Sequence, residues 1–201
     1  VATYAKDDGV HLRITAISAD ADSATRAVDQ AEAEIRAIVG NHVYGYLDDP
    51  ISTVILRLVA AQGQRIAVWE AGNAGHLGVL LEESDLGDRV VADARTTSFE
   101  AAVAEIGSGD DPEQVAIACA TLAANRAGTI HGAAIAIRLS PGENPDRASG
   151  EIAIALTING QARVRRNTVS AVTPEIRRRA TLQAVDFLWS TLRDETARQP
   201  G

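Results

Sequence analysis

Past residue 46 the 201-residue chain contains no lysine and no tyrosine: the one lysine is Lys6, and the tyrosines are Tyr4, Tyr44 and Tyr46. Over that whole length no ammonium or phenol can act as base or proton donor. Methionine is absent, and the chain begins with Val1, so we expect a piece, cut or processed, of something longer. The single cysteine, Cys119, excludes a disulfide framework and a zinc site; in the apolar helical run "EQVAIACATLAANRAG" it reads as a buried small hydrophobe. No run approaches the roughly 18 consecutive apolar residues of a spanning helix. The front carries no basic-then-apolar signal segment. We therefore expect a cytoplasmic protein with no membrane partner. The basic excess that drives binding to phosphate backbones is also missing: 19 basic residues against 27 acidic leave a net charge of −8, and nucleic acid is not an expected partner.

Apolar material is ample, at 46% of the chain, enough for one domain of ordinary size plus a small second one. Residues 10–17, "VHLRITAI", alternate as a half-buried strand does. Asp20 or Asp22 then caps a helix reaching about Val39 and closed by Gly40, and a short strand "HVYGY" follows. We assign 1–48 to a small α+β module, with Pro50 marking the next helix start. Beyond it, "ISTVILRLVAAQG" reads as a helix, "QRIAVWE" as a buried strand, "AGHLGVLLEES" as a helix and "RVVADA" as a strand. Helices near 97–105 and 112–126 open at Thr97 and at Asp111-Pro112. Three strands, "TIHGAAIAIRL", "GEIAIALTI" and "QARVRRNTV", come next, the last two joined by an Asn159-Gly160 turn. Thr173-Pro174 opens a final helix to about Arg193, with Ile176, Ala180, Ala184, Phe187, Leu188 and Leu192 on one face. The expected fold class is α/β: a small α+β module, then at 49–201 a three-layer α/β/α domain with a mixed sheet.

This order of pieces resembles the CinA (competence/damage-inducible) proteins, whose C-terminal domain is a nicotinamide mononucleotide deamidase. "YAKDDGVHLRITA", "AEAEIRAIVGNHVYGYLDD" and "VILRLVAAQGQRIAVWE" look like the family's KH-like connecting module and its entry into the deamidase domain. "DDPEQVAIACATLA", "SGEIAIAL" and "IRRRATLQAVDFL" fall where the family has a helix, a strand after a glycine and its last helix. A full-length member would also carry an N-terminal domain resembling molybdopterin-binding proteins, which these residues do not include. The resemblance implies a homodimer and, as ligand, a pyridine mononucleotide; no cofactor is expected.

At the family's catalytic positions the chain departs. Where the family has Glu-Ser-Cys-Thr-Gly-Gly, this chain has Glu70, Ala71, Gly72, Asn73, Ala74 and Gly75, so the nucleophilic serine is Ala71. The family's Tyr-Ser-Asn, with a lysine three positions on, becomes Asp93, Ala94 and Arg95 with Ser98. Its Thr-Gly-Ile-Ala-Gly-Pro loop becomes 136–141, with Arg138 in the middle, and the arginine before the last helix becomes Thr173.

Cleaving a carboxamide this way needs a nucleophile, a base and donors for the oxyanion. Alanine cannot attack, and no lysine or tyrosine remains to stand in. A rewired alternative would set Asp93 to activate water, with Arg95 or Arg138 steadying the oxyanion. Ser98 reads better as a helix-start residue bonded to backbone than as a nucleophile. His76 and His131 read better as solvated or structural than as acid–base groups, and with scattered carboxylates they form no metal-binding spacing. Gly72 and Gly75 leave backbone N–H groups open at a helix start, where an anion can be held; close strand–helix packing explains them equally well. A Gly-x-x-Gly spacing also occurs in KH domains that clamp RNA, but here it lies outside the small module and lacks basic neighbours. The ligand-binding candidates are Glu70, Gly72, Asn73, Gly75, Arg95, Arg138 and Arg177; "RVRR" and the other arginines of "RRR" read as solvated faces.

Overall fold

The computed structural model describes residues 1–6, 9–46, 49–107, 109–142 and 146–198. It divides into two compact units, Val1–Asp49 and Pro50–Gly201. Residue 48, the expected module boundary, lies outside the described residues.

In the first unit an antiparallel hairpin, β1 (Ala2–Lys6) and β2 (Gly9–Arg13), precedes helix α1 (Ala21–Val39). Asp20 caps α1 by accepting from the Ser23 backbone N–H at 2.8 Å, and the helix ends at Gly40, as the sequence predicts. The strand predicted over 10–17 stops at Arg13, and β1 was not anticipated. "HVYGY" is not a strand: a 3-10 turn spans Gly40–His42, and the Tyr44 ring lies over Gly9, where a Cβ would come within 3.3 Å of it. Tyr44 thus packs on the hairpin instead of pairing with it, while the Tyr46 ring lies against Arg36 of α1.

The second unit holds a five-stranded sheet in the order β4-β3-β5-β6-β7: β3 (Ile66–Ala71), β4 (Val91–Thr97), β5 (His131–Pro141), β6 (Ala148–Ile158) and β7 (Gln161–Ala171). β3 runs parallel to β4 and β5; β6 and β7 continue antiparallel. Hence the sheet is mixed, as predicted. Asn159 (φ 51°) and Gly160 (φ 77°) form the tight turn between β6 and β7, a conformation asparagine and glycine adopt at little cost.

Strand alternation divides the side chains between two faces, mostly alanines with Trp69 on one and larger aliphatic residues on the other. One face carries Ala67, Trp69, Ala71, Ala134, Ala136, Ala153 and Ala155 under helices α5 (Phe99–Ile106) and α6 (Pro112–Ala127). Small residues let α6 lie close: a Cβ on Gly132 would come within 2.0 Å of the Ala120 carbonyl oxygen. The other face carries Ile66, Ile135, Ile137, Ile152, Ile154 and Leu156, all buried, and is covered by α7 (Thr173–Arg198), whose Ile176, Ala180, Ala184, Leu188 and Leu192 are fully buried. Helix α2 (Ile51–Ala61) packs on α7, and α3 (His76–Glu82) on β3, β4 and α7. Two boundaries move. A four-residue helix, α4 (Gly87–Val90), takes the start of the predicted strand "RVVADA", and α5 is capped by Ser98, not Thr97. No helix among the described residues is long and apolar enough to cross a membrane.

Candidate functional site

Strand β3 ends in the loop 72–75, which feeds α3. Gly72 has φ 92° and its missing Cβ would sit 2.6 Å from the Ile137 carbonyl oxygen, so no other residue fits without displacing β5. Ala74 (φ 60°) and Gly75 (φ 83°) complete a left-handed turn.

Glu70 and Ala71 leave β3 on opposite faces. The Glu70 side chain is buried, and its carboxylate accepts from the backbone N–H groups of Leu77 (3.1 Å) and Gly78 (2.7 Å) and from Asn73 Nδ2 (2.5 Å). The chain's own carboxylate thus fills the position at the start of α3 that an external anion would otherwise take. The second Asn73 Nδ2 proton goes to Thr181 Oγ1 (3.0 Å), whose own proton goes to the Arg177 carbonyl (3.1 Å). Arg177 Nε in turn donates to the Gly72 carbonyl (3.1 Å). Two bonds therefore tie the loop to α7. Among the described residues Asn73 Oδ1 is buried without a partner, and Arg177, half-buried, has no carboxylate partner. The four loop candidates Glu70, Gly72, Asn73 and Gly75 are brought together with Arg177.

Ala71 is fully buried, facing the core beneath α5 and α6. Its register partner on β4 is Thr97, whose hydroxyl oxygen accepts from Trp69 Nε1 (2.9 Å). Position 71, expected from the resemblance to match the family's serine, thus holds a buried methyl group, with a hydroxyl next to it already bonded to an indole.

The other candidates lie elsewhere. Asp93 pairs in register with Ala67, four residues before Ala71, or about 13 Å down the sheet. Ser98 is the α5 cap, its Oγ accepting from the Ala101 N–H at 3.1 Å. Arg95 makes a two-pronged pair with Glu105 (2.9 and 2.5 Å) and lies over the Trp69 ring, 4.1 Å from its centroid; Arg126, 2.7 Å from Glu105, approaches the same ring at 5.3 Å. Hydrogen bonds from Arg95 and then Arg126 hold the Glu105 carboxyl down at about 2, and the bond to Glu105 raises the Arg95 guanidinium. Arg138 is likewise paired, to Glu151 (3.0 Å to each oxygen) and to Asp110 (3.1 Å), and the Glu151 bond raises it. His76 is exposed at the start of α3. His131 is fully buried at the start of β5, and neither ring nitrogen has a partner of hydrogen-bond geometry among the described residues. Burial pushes its imidazole down, opposed by the nearby Arg65 backbone. Burial also pushes the Cys119 thiol up to about 12. No cluster of three or more metal-ligating side chains occurs among the described residues.

Thr181, which anchors the loop, was missed by sequence reasoning; its one signal is a hydroxyl between Ala180 and Ala184 on an otherwise apolar helix face. A separate hollow of about 230 Å³, lined by Pro112, Glu151, Ile152, Arg166, Asn167 and Thr168, contains none of the expected site residues.

Comparison with known proteins places the chain. The family of the damage-inducible protein CinA KH domain matches residues 1–45. A CinA-like protein of Thermomicrobium roseum is 36% identical over 188 residues, covering 94% of this chain and 45% of that protein. A CinA-like protein of Gemmatimonas aurantiaca is 31% identical over 192 residues, covering 90% and 45%. The chain thus spans about half the length of the curated relatives it matches. Among solved structures, the competence-damaged protein (CinA) superfamily protein from Enterobacter cloacae superposes with a TM-score of 0.60 at 16% identity, over 75% of this chain and 98% of that one. A competence/damage inducible protein from Agrobacterium tumefaciens gives 0.56 at 18% identity, over 74% and 99%. These two likenesses show the fold. With 94% of its length aligned to the Thermomicrobium roseum protein and a KH module of the same name at its front, the chain belongs to the CinA family.

Proposed function

We propose that residues 49–201 form a CinA C-terminal domain that keeps the deamidase fold without its chemistry, and that the protein serves as a nucleotide-binding or oligomerisation module. The observation that carries this reading is Ala71: a buried methyl group where the family's serine would attack, in a domain without lysine or tyrosine. Losing one member of a nucleophile–base unit costs several orders of magnitude in rate, and here every member is replaced. The loop 70–75 is still ordered by Glu70, Asn73 and Thr181, which suits binding without turnover.

Arg177 is the group on which an anionic ligand would rest. Its Nε is fixed on the Gly72 carbonyl, and its terminal nitrogens face no carboxylate among the described residues, whereas Arg95 and Arg138 are already neutralised. A pyridine mononucleotide offers a phosphate for that position. Activation of water by Asp93 is not favoured by the geometry, since Asp93 lies well down the sheet from the loop. Isothermal calorimetry with nicotinamide mononucleotide, run beside an ammonia-release assay, tests the proposal: heat without ammonia supports a binding module, ammonia above background refutes it, and neither signal leaves the domain a structural or oligomerisation unit.

A further inference from the structure

We draw no further inference here: the strongest candidate, the uncharged face of the β1–β2 hairpin that exposes Val10 and Leu12, is an unpartnered apolar face, and nothing in the structure shows what covers it.

Discussion

Two adjacent residues, Glu70 and Ala71, carry opposite lessons. At Ala71 the sequence offers an inventory: the missing hydroxyl there, and the missing lysines and tyrosines past residue 46, need no coordinates to be seen. Glu70 was not legible. Its partners are N–H groups seven and eight residues on, and only the left-handed turn at 74–75 folds them back onto the carboxylate. Replacing Ala71 by serine is expected to leave ammonia release from nicotinamide mononucleotide at background. It should also lower stability by about 1–3 kcal/mol in urea titrations, because a hydroxyl enters a closed apolar face. Glu70→Ala strips three donors of their acceptor in a buried site, and should cost about 2–4 kcal/mol. Glu70→Gln retains one acceptor oxygen and should lose less. If Glu70→Ala unfolds at the same urea concentration as the parent, the carboxylate does not hold the loop.

At the scale of elements, periodicity made the second unit readable. β5 and β6 are near-continuous apolar runs buried on both faces, and the apolar residues of α7 recur at three- and four-residue spacing, so both patterns survive the change from sequence to fold. The first unit was harder. None of its residues of described burial is buried; β2 alternates, but β1 carries no such pattern and passed unseen while "HVYGY" looked like a strand. Helix starts depend on single hydrogen bonds, which is why Thr97 was chosen over Ser98. Ser98→Ala should cost about 1 kcal/mol in thermal or chemical denaturation, with no change in ligand binding; Thr97→Ala should not reproduce the cap loss.

The start of β5 also sets a pH response. Burial holds the folded-state pKa of His131 below its ordinary 6.5, so between those two values the unfolded chain takes up the proton that the folded chain refuses. The stability due to neutral His131 is therefore complete above pH 6.5 and declines as pH falls below it. Glu105 and Glu175, both held at about 2 by hydrogen bonds from arginines, act later: their contribution is present above 4.5 and is lost as pH drops from there towards 2. Urea midpoints measured from pH 7.5 to 5 should fall on acidification, and His131→Leu should flatten that slope. An unchanged slope in the variant would remove His131 from the account.

For the whole molecule, each unit has its own sequence signature. The first matches the family's KH module over residues 1–45, and its sequence holds no Gly-x-x-Gly and 9 acidic residues against 4 basic in 1–49. The second superposes on solved CinA superfamily structures with its mixed five-stranded sheet, and, as proposed, Ala71, Asp93 and Ser98 stand at the family's catalytic positions. The fold and the chemistry have separable requirements: the sheet needs mostly small residues under α6 and large aliphatic ones under α7, whereas catalysis needs a few particular polar groups, so on the proposed reading the first set can be kept without the second. If Arg177 receives the phosphate, Arg177→Ala should reduce calorimetric affinity for nicotinamide mononucleotide about tenfold, whereas Arg95→Ala should leave it unchanged. Equal losses in both variants would place the ligand elsewhere.

The most direct measurement is ammonia release when the purified chain is incubated with nicotinamide mononucleotide at pH 7.5. The absence of a nucleophile at Ala71 predicts a rate indistinguishable from the protein-free control, in the parent and in Ala71→Ser alike. Sustained ammonia production by the parent chain, proportional to protein concentration, would contradict the account.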